Sequence, residues 1–296
     1  MVTNLIVGFL LALAIAFAAL KAHALNPSGA AAAVLLGTLI FGLGGLGWAI
    51  LLLAFFISSS ALSRLFGRRK RGLDEKFSKG SERDAGQVLA NGGMAGLFAL
   101  LLVAYPLAAW PWLGCAAALA AANADTWATE LGVLSRSEPR LITSGKIVER
   151  GASGGISLAG TLAALAGSGL VALLGAFLWM GRTGLNAQGL PGGLASLLGA
   201  APLQLDAGLV MSSFFLLALC GLAGSLVDSL LGATVQVMYT CPVCQKETER
   251  WPTHTCGTQT LRLRGWRWLD NDWVNLACTL SSALIALGMG AAVGLV

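Results

Sequence analysis

The chain has 296 residues, 56% of them hydrophobic and only 11% charged; soluble domains carry about 25% charged residues, so a soluble globular protein is excluded. No alternating segments of about ten residues suit a transmembrane β-strand, which leaves an all-α, polytopic transmembrane helical bundle of about seven spans, read as a single integral-membrane domain over residues 1–296. The net charge of +5 does not point to nucleic acid: 17 of the 19 Lys/Arg fall in segments 64–87, 135–153 and 239–272, the positive-inside pattern that sets all three in the cytoplasm beside anionic lipid.

Residues 3–22 form a first span without the basic n-region of a signal peptide, so an uncleaved helix is expected. Asn26-Pro27-Ser28-Gly29 breaks it and starts the next helix. Residues 29–64 exceed one untilted span of about 20 residues; Gly42, Gly44, Gly45 and Gly47 divide them into two short spans or one broken helix. A first basic loop covers 65–86. At its end, Lys79-Gly80-Ser81-Glu82-Arg83-Asp84 leads into a helix where Arg83, Gln87 and Asn91 recur at i, i+4 and i+8. That stripe can contact a nucleotide or lipid phosphate, or simply anchor the helix at the interface.

Residues 88–109 and 111–134 form a hairpin turned at Trp110-Pro111-Trp112, with tryptophans suited to the outer interface. Its second helix carries Asn123-Ala124-Asp125-Thr126-Trp127-Ala128-Thr129-Glu130 inside an apolar run. Asp228 repeats the anomaly in the span 207–238, which has a further candidate break at Gly221–Gly224. A charged residue at membrane depth costs roughly 2.5–3.5 kcal/mol on insertion scales and usually faces a bundle interior, a partner or a cavity. At 1.5 Å per residue, Asp125 lies about nine residues, roughly 13 Å, from the cytoplasmic end of its helix, and Asp228 about ten residues from its own. Asp125, Glu130 and Asp228 are therefore the candidate catalytic and Mg²⁺-binding residues, with Asn123, Thr126 and Thr129 as oxygen donors. Hard cations of this type take carboxylate and phosphate oxygens. The alternative is polar residues that lock helices together. On a regular helix Asn123 and Glu130 align within about 20°, whereas Asp125 points roughly 140° away from Glu130. Either the helix is interrupted there or the two carboxylates have different roles.

The loop 135–153 ends in Lys146-Ile147-Val148-Glu149-Arg150-Gly151-Ala152-Ser153-Gly154-Gly155, ahead of a span at 155–180. A glycine-rich turn at a helix start offers N–H groups to an anion; Lys146 and Arg150 add charge, and Ser153 a hydroxyl or an N-cap. An outer loop at 181–205 and a cap at Asp206 precede the span from 207. The third loop, 239–268, holds Cys241-Pro242-Val243-Cys244 and His254-Thr255-Cys256, four ligands suited to structural Zn²⁺, with a redox pair or bare thiols as alternatives. Cys115, Cys220 and Cys278 lie in apolar helices as core residues. Asp270 or Asn271 can cap the last span, 273–295, and Asp272 and Asn275 can complete the site. Every basic loop then falls on one side, and three early spans leave the N-terminus outside. Only His23 and His254 exist, and no Ser-His-Asp set, dinucleotide fingerprint or P-loop appears, so histidine acid–base catalysis is not expected.

The segments RDAGQVLANGG (83–93), NADTWATELG (123–132), ITSGKIVERGASGGIS (142–157), GSLVDSLLGATVQ (224–236) and WLDNDWVN (268–275) together resemble an integral-membrane family long described as a domain of unknown function. Its plant members are phytyl-phosphate kinases of the chloroplast envelope, and an animal transmembrane protein is related. The resemblance spans roughly residues 5–295. It implies transfer of a phosphoryl group from a nucleoside triphosphate, CTP or ATP, to an isoprenyl monophosphate of the phytyl or geranylgeranyl type; the basic loops set that reaction at the cytoplasmic face of the cell (inner) membrane. Glycine-broken helices with deep acids also describe a cation-coupled transporter, and a CTP-dependent lipid cytidylyltransferase would use a similar head-group site.

Overall fold

The computed structural model describes residues 2–66, 82–135, 137–185 and 207–295. Lys79, Gly80 and Ser81, the expected outer loop from 186 onward and Asp206 lie outside the described residues. Eight long helices are present among them: α1 (Val2–Lys21), α2 (Pro27–Gly44), α3 (Leu46–Phe66), α4 (Ala85–Ala104), α5 (Trp110–Gly132), α6 (Leu158–Leu185), α7 (Ala207–Thr234) and α8 (Asn271–Ala292). Seven are long and apolar enough to cross a membrane. The other, α5, has the length but carries the polar stretch Asn123–Glu130.

Gly45, with φ of 81°, separates α2 from α3, so residues 29–64 make two spans. At the start of α2 the Asn26 side chain accepts from Gly29 N at 2.9 Å. There Asn26 N donates to Arg83 O and Arg83 N to Ala24 O, which pins the start of α2 to the start of α4. The chain direction of every other helix follows: α3, α5 and α7 end, and α4, α6 and α8 begin, at this same end of the bundle. Two further expectations change. Trp112 is 3% exposed and packs edge-on against Trp48 with ring centroids 5.6 Å apart. It is a core residue rather than an interface anchor, because α4 stops at Ala104 and the turn falls at 105–109. Helix α7 runs unbroken through Gly221 and Gly224.

Those glycines instead let helices touch. Every residue of α5 from Pro111 to Ala124 is buried. Between helices in lipid there is no hydrophobic driving force, so small residues that bring backbones together supply the contact. A Cβ at Gly224 would meet Ala121, Cys278 and Ser282, and one at Gly132 would sit 3.2 Å from the Gly160 Cα of α6. Helix α5 is thus the axis around which α3, α4, α6, α7 and α8 pack.

Asn123 locks that axis. Its Oδ1 accepts from Ser58 at 2.9 Å and Ser59 at 3.1 Å, and its Nδ2 donates to Gly167 O at 2.8 Å. Asn123→Ala removes all three bonds. Interhelical hydrogen bonds in membrane proteins average about 0.6 kcal/mol and reach about 1.7, so a loss of about 1–3 kcal/mol is expected. Thermal unfolding in detergent should show it; a variant of unchanged stability would contradict this structural role.

Outside the helices, β1 (Arg140–Leu141) pairs antiparallel with β2 (Gly155–Ile156). A small antiparallel sheet, β3 (Met238–Thr240), β4 (Glu247–Thr248) and β5 (Leu261–Arg264), has the order β4-β3-β5. The third loop is therefore a folded module. It is closed at its base by Val237 N donating to Leu269 O and Trp266 N to Val235 O. Asp270 caps α8 by accepting from Asp272 N and Trp273 N.

Candidate active-site cavity

A cavity of about 710 Å³ opens at the end of the bundle where these helix termini meet. Thirteen of the sixteen carboxylate and phosphate-site candidates line it. Helix α5 supplies Asp125, Thr126, Thr129 and Glu130, and α7 supplies Asp228. Gln87 and Asn91 come from the start of α4, and Arg83 from the extended residues before its Asp84 cap, so Arg83 does not continue the expected helical stripe; Arg150, Ser153, Gly154 and Gly155 come from the loop before α6, and Asn275 from α8. Both acidic helices end earlier than expected, at Gly132 and Thr234. At 1.5 Å per residue Asp125 and Asp228 lie about 10 Å and 9 Å from those ends.

Helix α5 is continuous through the acidic stretch, which settles the question of angle. Asp125 and Glu130 face different parts of one cavity. Asp125 interacts electrostatically with Asp228 across the α5–α7 crossing. Asp228 Oδ2 is buried and has no hydrogen-bond partner among the described residues. Glu130 Oε1 accepts from Ser63 Oγ at 2.8 Å, and its charge favours the Arg83 guanidinium. Burial pulls Arg83 down to about 10, with Glu130 opposing, so this side chain remains a cation at neutral pH. The Arg83 guanidinium also stands 5.4 Å over the Phe55 ring.

Some polar groups are already committed. Gln87 completes a capping box with Asp84 at the start of α4, and Asn91 Nδ2 donates to Gln87 O at 2.9 Å. Thr126 Oγ1 donates back to Ala122 O. In the glycine-rich loop, Ala152 N and Gly155 N donate to Glu149 O and Ala152 O, so two of its amides are closed to an anion. Ser153 is not the cap of α6: Ser157 Oγ accepts from Gly160 N at 3.1 Å. Three candidates do not line the cavity. Asn123 holds the helix axis, Lys146 is exposed at the far turn of the loop, and Asp272 sits in the first turn of α8, half-buried.

The cavity also contains residues that the sequence did not mark. Ser153 Oγ donates to Gln236 Oε1 at 2.7 Å, and Gln236 Nε2 donates to Glu249 Oε1 at 2.9 Å. Glu249, Arg250 and Gln236 all line the wall. Glu249 and Arg250 lay in the third basic segment, where topology already accounted for charge. Gln236, 2% exposed just beyond α7, was visible only as the end of a conspicuous motif.

The module holds the four metal-ligand candidates together. The ligand atoms of Cys241, Cys244, His254 and Cys256 all lie within 4.8 Å of one another. Cys241 Sγ and Cys256 Sγ are 3.6 Å apart; a tetrahedron with Zn–S bonds of about 2.3 Å has sulfurs about 3.8 Å apart. Cys244 N donates to Cys241 Sγ at 3.4 Å, tightening the knuckle. The close His-x-Cys half works because Gly257, at φ of 82°, turns the chain back. Hydrogen bonds with Thr258 and His254 hold the Cys256 thiol down at about 6. The donor set, three sulfurs and an imidazole, fits a metal cofactor of the borderline-soft type. Cys115, Cys220 and Cys278 are buried in helices, as expected.

The sequence profile of "Integral membrane protein DUF92" matches residues 10–283. The chain is 35% identical to "Protein PGR" of Arabidopsis thaliana over 297 residues, covering 95% of this chain and 94% of the relative. It is 35% identical over 195 residues to an uncharacterized membrane protein of Methanocaldococcus jannaschii, covering 65% of this chain and 78% of that one. It is 31% identical to "Protein VTE6, chloroplastic" of Arabidopsis thaliana over 159 residues, covering 52% of this chain and 47% of VTE6. No solved structure matches.

Proposed function

We propose that this chain, which belongs to the integral membrane protein DUF92 family, transfers a phosphoryl group from CTP or ATP to an isoprenyl monophosphate at the cytoplasmic face of the cell membrane. The observation that carries this reading is the pairing, in one cavity, of the Asp125–Asp228 carboxylates with the guanidinium groups of Arg83 and Arg150. Carboxylates alone would repel a phosphate, and arginines alone would not gather cations. A site that joins a nucleoside triphosphate to a lipid phosphate needs both.

The buried Asp228 Oδ2, without a hydrogen-bond partner among the described residues and beside Asp125, fits Mg²⁺, which these two residues would hold. Bound there, Mg²⁺ would compensate charge on the phosphate oxygens. Arg83, set by Glu130 and Ser63, and Arg150 and Ser153 hold phosphates; Asn91, Thr129 and Asn275 offer further polar contacts. In the reaction, an acceptor phosphate oxygen forms a bond to the γ-phosphorus as the β–γ bridging bond breaks, releasing the nucleoside diphosphate. A phosphomonoester has a second pKa of about 6, so the attacking oxygen is already ionised. No histidine base is required, in keeping with a cavity that has none among its described lining residues. Positioning and charge compensation are the protein's tasks. We assign the Cys₃His cluster to structural Zn²⁺.

The carrier reading needs a polar route across the bundle. Beyond Asn123, toward its start, α5 is buried and small-residue-packed back to Pro111, which favours a one-sided site. The test uses purified protein in detergent with Mg²⁺, phytyl or geranylgeranyl monophosphate, and CTP or ATP. Mass spectrometry of the lipid is expected to show the gain of one phosphoryl group. A nucleotide–lipid adduct would replace this proposal with a cytidylyltransferase, and nucleotide-independent uptake into proteoliposomes without any lipid product would replace it with a carrier.

A further inference from the structure

We infer that the Cys/His module is a working wall of the cavity: metal binding at Cys241, Cys244, His254 and Cys256 holds Arg250 as a nucleotide-phosphate contact and Glu249 as a positioning residue for the glycine loop. The part concerning nucleotide rests on the phosphotransferase reading; the coupling between module and loop does not.

Three observations converge. First, β4 (Glu247–Thr248) runs directly into Glu249 and Arg250 and lies between the two halves of the metal cluster, Cys244 on one side and His254 on the other. The cluster ties down both ends of this segment, whose middle is held by pairing of β4 with β3 and by Thr260 donating to Arg250 O. A short sheet of two- to four-residue strands has little core of its own, and domains of this size normally need a metal or disulfide to fold. Second, Glu249 and Arg250 reach the cavity, and Glu249 lies near enough to Asp228 to act on its charge. Third, a continuous side-chain path joins module to loop: Glu249 accepts from Gln236 Nε2, and Gln236 Oε1 accepts from Ser153 Oγ. Gln236 is buried, and its amide is oriented by giving one bond and taking the other. Arg264 adds a second tie, donating to Gly232 O at 2.8 Å at the end of α7. Metal loading therefore fixes both Arg250 and, through Glu249 and Gln236, the Ser153 loop.

The experiment has one arm that is independent of turnover. Purified full-length protein is expected to contain one zinc per chain by elemental analysis. Removing it with a chelator should speed hydrogen exchange in residues 241–256 and also in 151–155. In Gln236→Ala the zinc should stay while 151–155 alone exchange faster. No stoichiometric metal, or a loop unmoved by metal removal, overturns the inference. In the kinetic arm, Arg250→Ala should retain zinc and raise the nucleotide KM about 10- to 100-fold, the range for a charged hydrogen bond, with the lipid phosphate KM unchanged. An unchanged nucleotide KM removes Arg250 from the site. Absence of lipid diphosphate from wild-type protein would instead sink the phosphotransferase reading, with the exchange result still deciding the coupling.

Discussion

Asp125→Asn is expected to slow phosphoryl transfer by about 1,000-fold, a loss typical of removing one electrostatic contributor at the reacting centre, while the protein stays inserted and folded. The variant keeps the shape and one oxygen of the side chain but loses the charge that a hard cation requires. Asp228→Asn should do the same. Both carboxyls are buried, and the Asp125 charge adds to the cost of one on Asp228, so removing either charge lowers a burial cost in the protein without Mg²⁺. Each variant should then melt no lower than wild type without Mg²⁺. Wild type alone should gain stability as Mg²⁺ is added, by about 2.7 kcal/mol at a concentration 100 times the dissociation constant. Two groups that act as a unit are strongly non-additive. The double variant should therefore be little slower than either single one, whereas Glu130→Gln, at a residue that accepts from Ser63 and favours the Arg83 charge instead, should multiply with them. Wild-type turnover in Asp125→Asn removes the assignment; additive losses at 125 and 228 would mean that the two do not share one cation.

The acids were legible because each interrupts an apolar run, and lipid makes that costly enough to require a reason. Helical spacing likewise made Gln87 and Asn91 visible, whereas Arg83 reaches the cavity from the extended residues before α4. Spacing along one helix does not say which neighbour lies on each side. Asn123 and Asp125 both looked like oxygen donors, but Asn123 meets Ser58, Ser59 and Gly167 while Asp125 meets Asp228 across a cavity. The same blindness affected α5: its alanines carry little hydropathy, and only the surrounding glycines of α6 and α7 reveal that it is the central helix. Glu249 and Arg250 were hidden for a different reason. In a loop already rich in charge, two more ionic residues have an adequate explanation as topology signals, and only a folded module can aim them. The metal-ligand spacing was readable, but not that the segment between the ligands belongs to the cavity.

Gly154→Ala should cost far more than Gly145→Ala, although both glycines lie in the same loop with positive φ, 82° and 66°. A Cβ in the left-handed region costs roughly 1–2 kcal/mol in either place. At Gly145 no described residue lies within 4 Å of the added carbon, so the local strain is the expected effect and transfer should remain near wild type. At Gly154 the carbon would collide with the backbone of Ala233 in α7. Backbone cannot swing aside as a flexible side chain can, so overpacking adds about 1–3 kcal/mol or the loop lifts away from α7. Lifting would carry Ser153 off Gln236 and shift Arg150. Because a displacement of about 1 Å at a reacting site can cost about 100-fold in rate, transfer in Gly154→Ala should fall by about that factor. The two variants share their backbone strain, so their difference isolates the docking of loop against helix. Equal activity in both would mean that the loop's contact with α7 does not position the phosphates. Equal loss in both would mean that the loop's flexibility, rather than its seat on α7, is what the site uses.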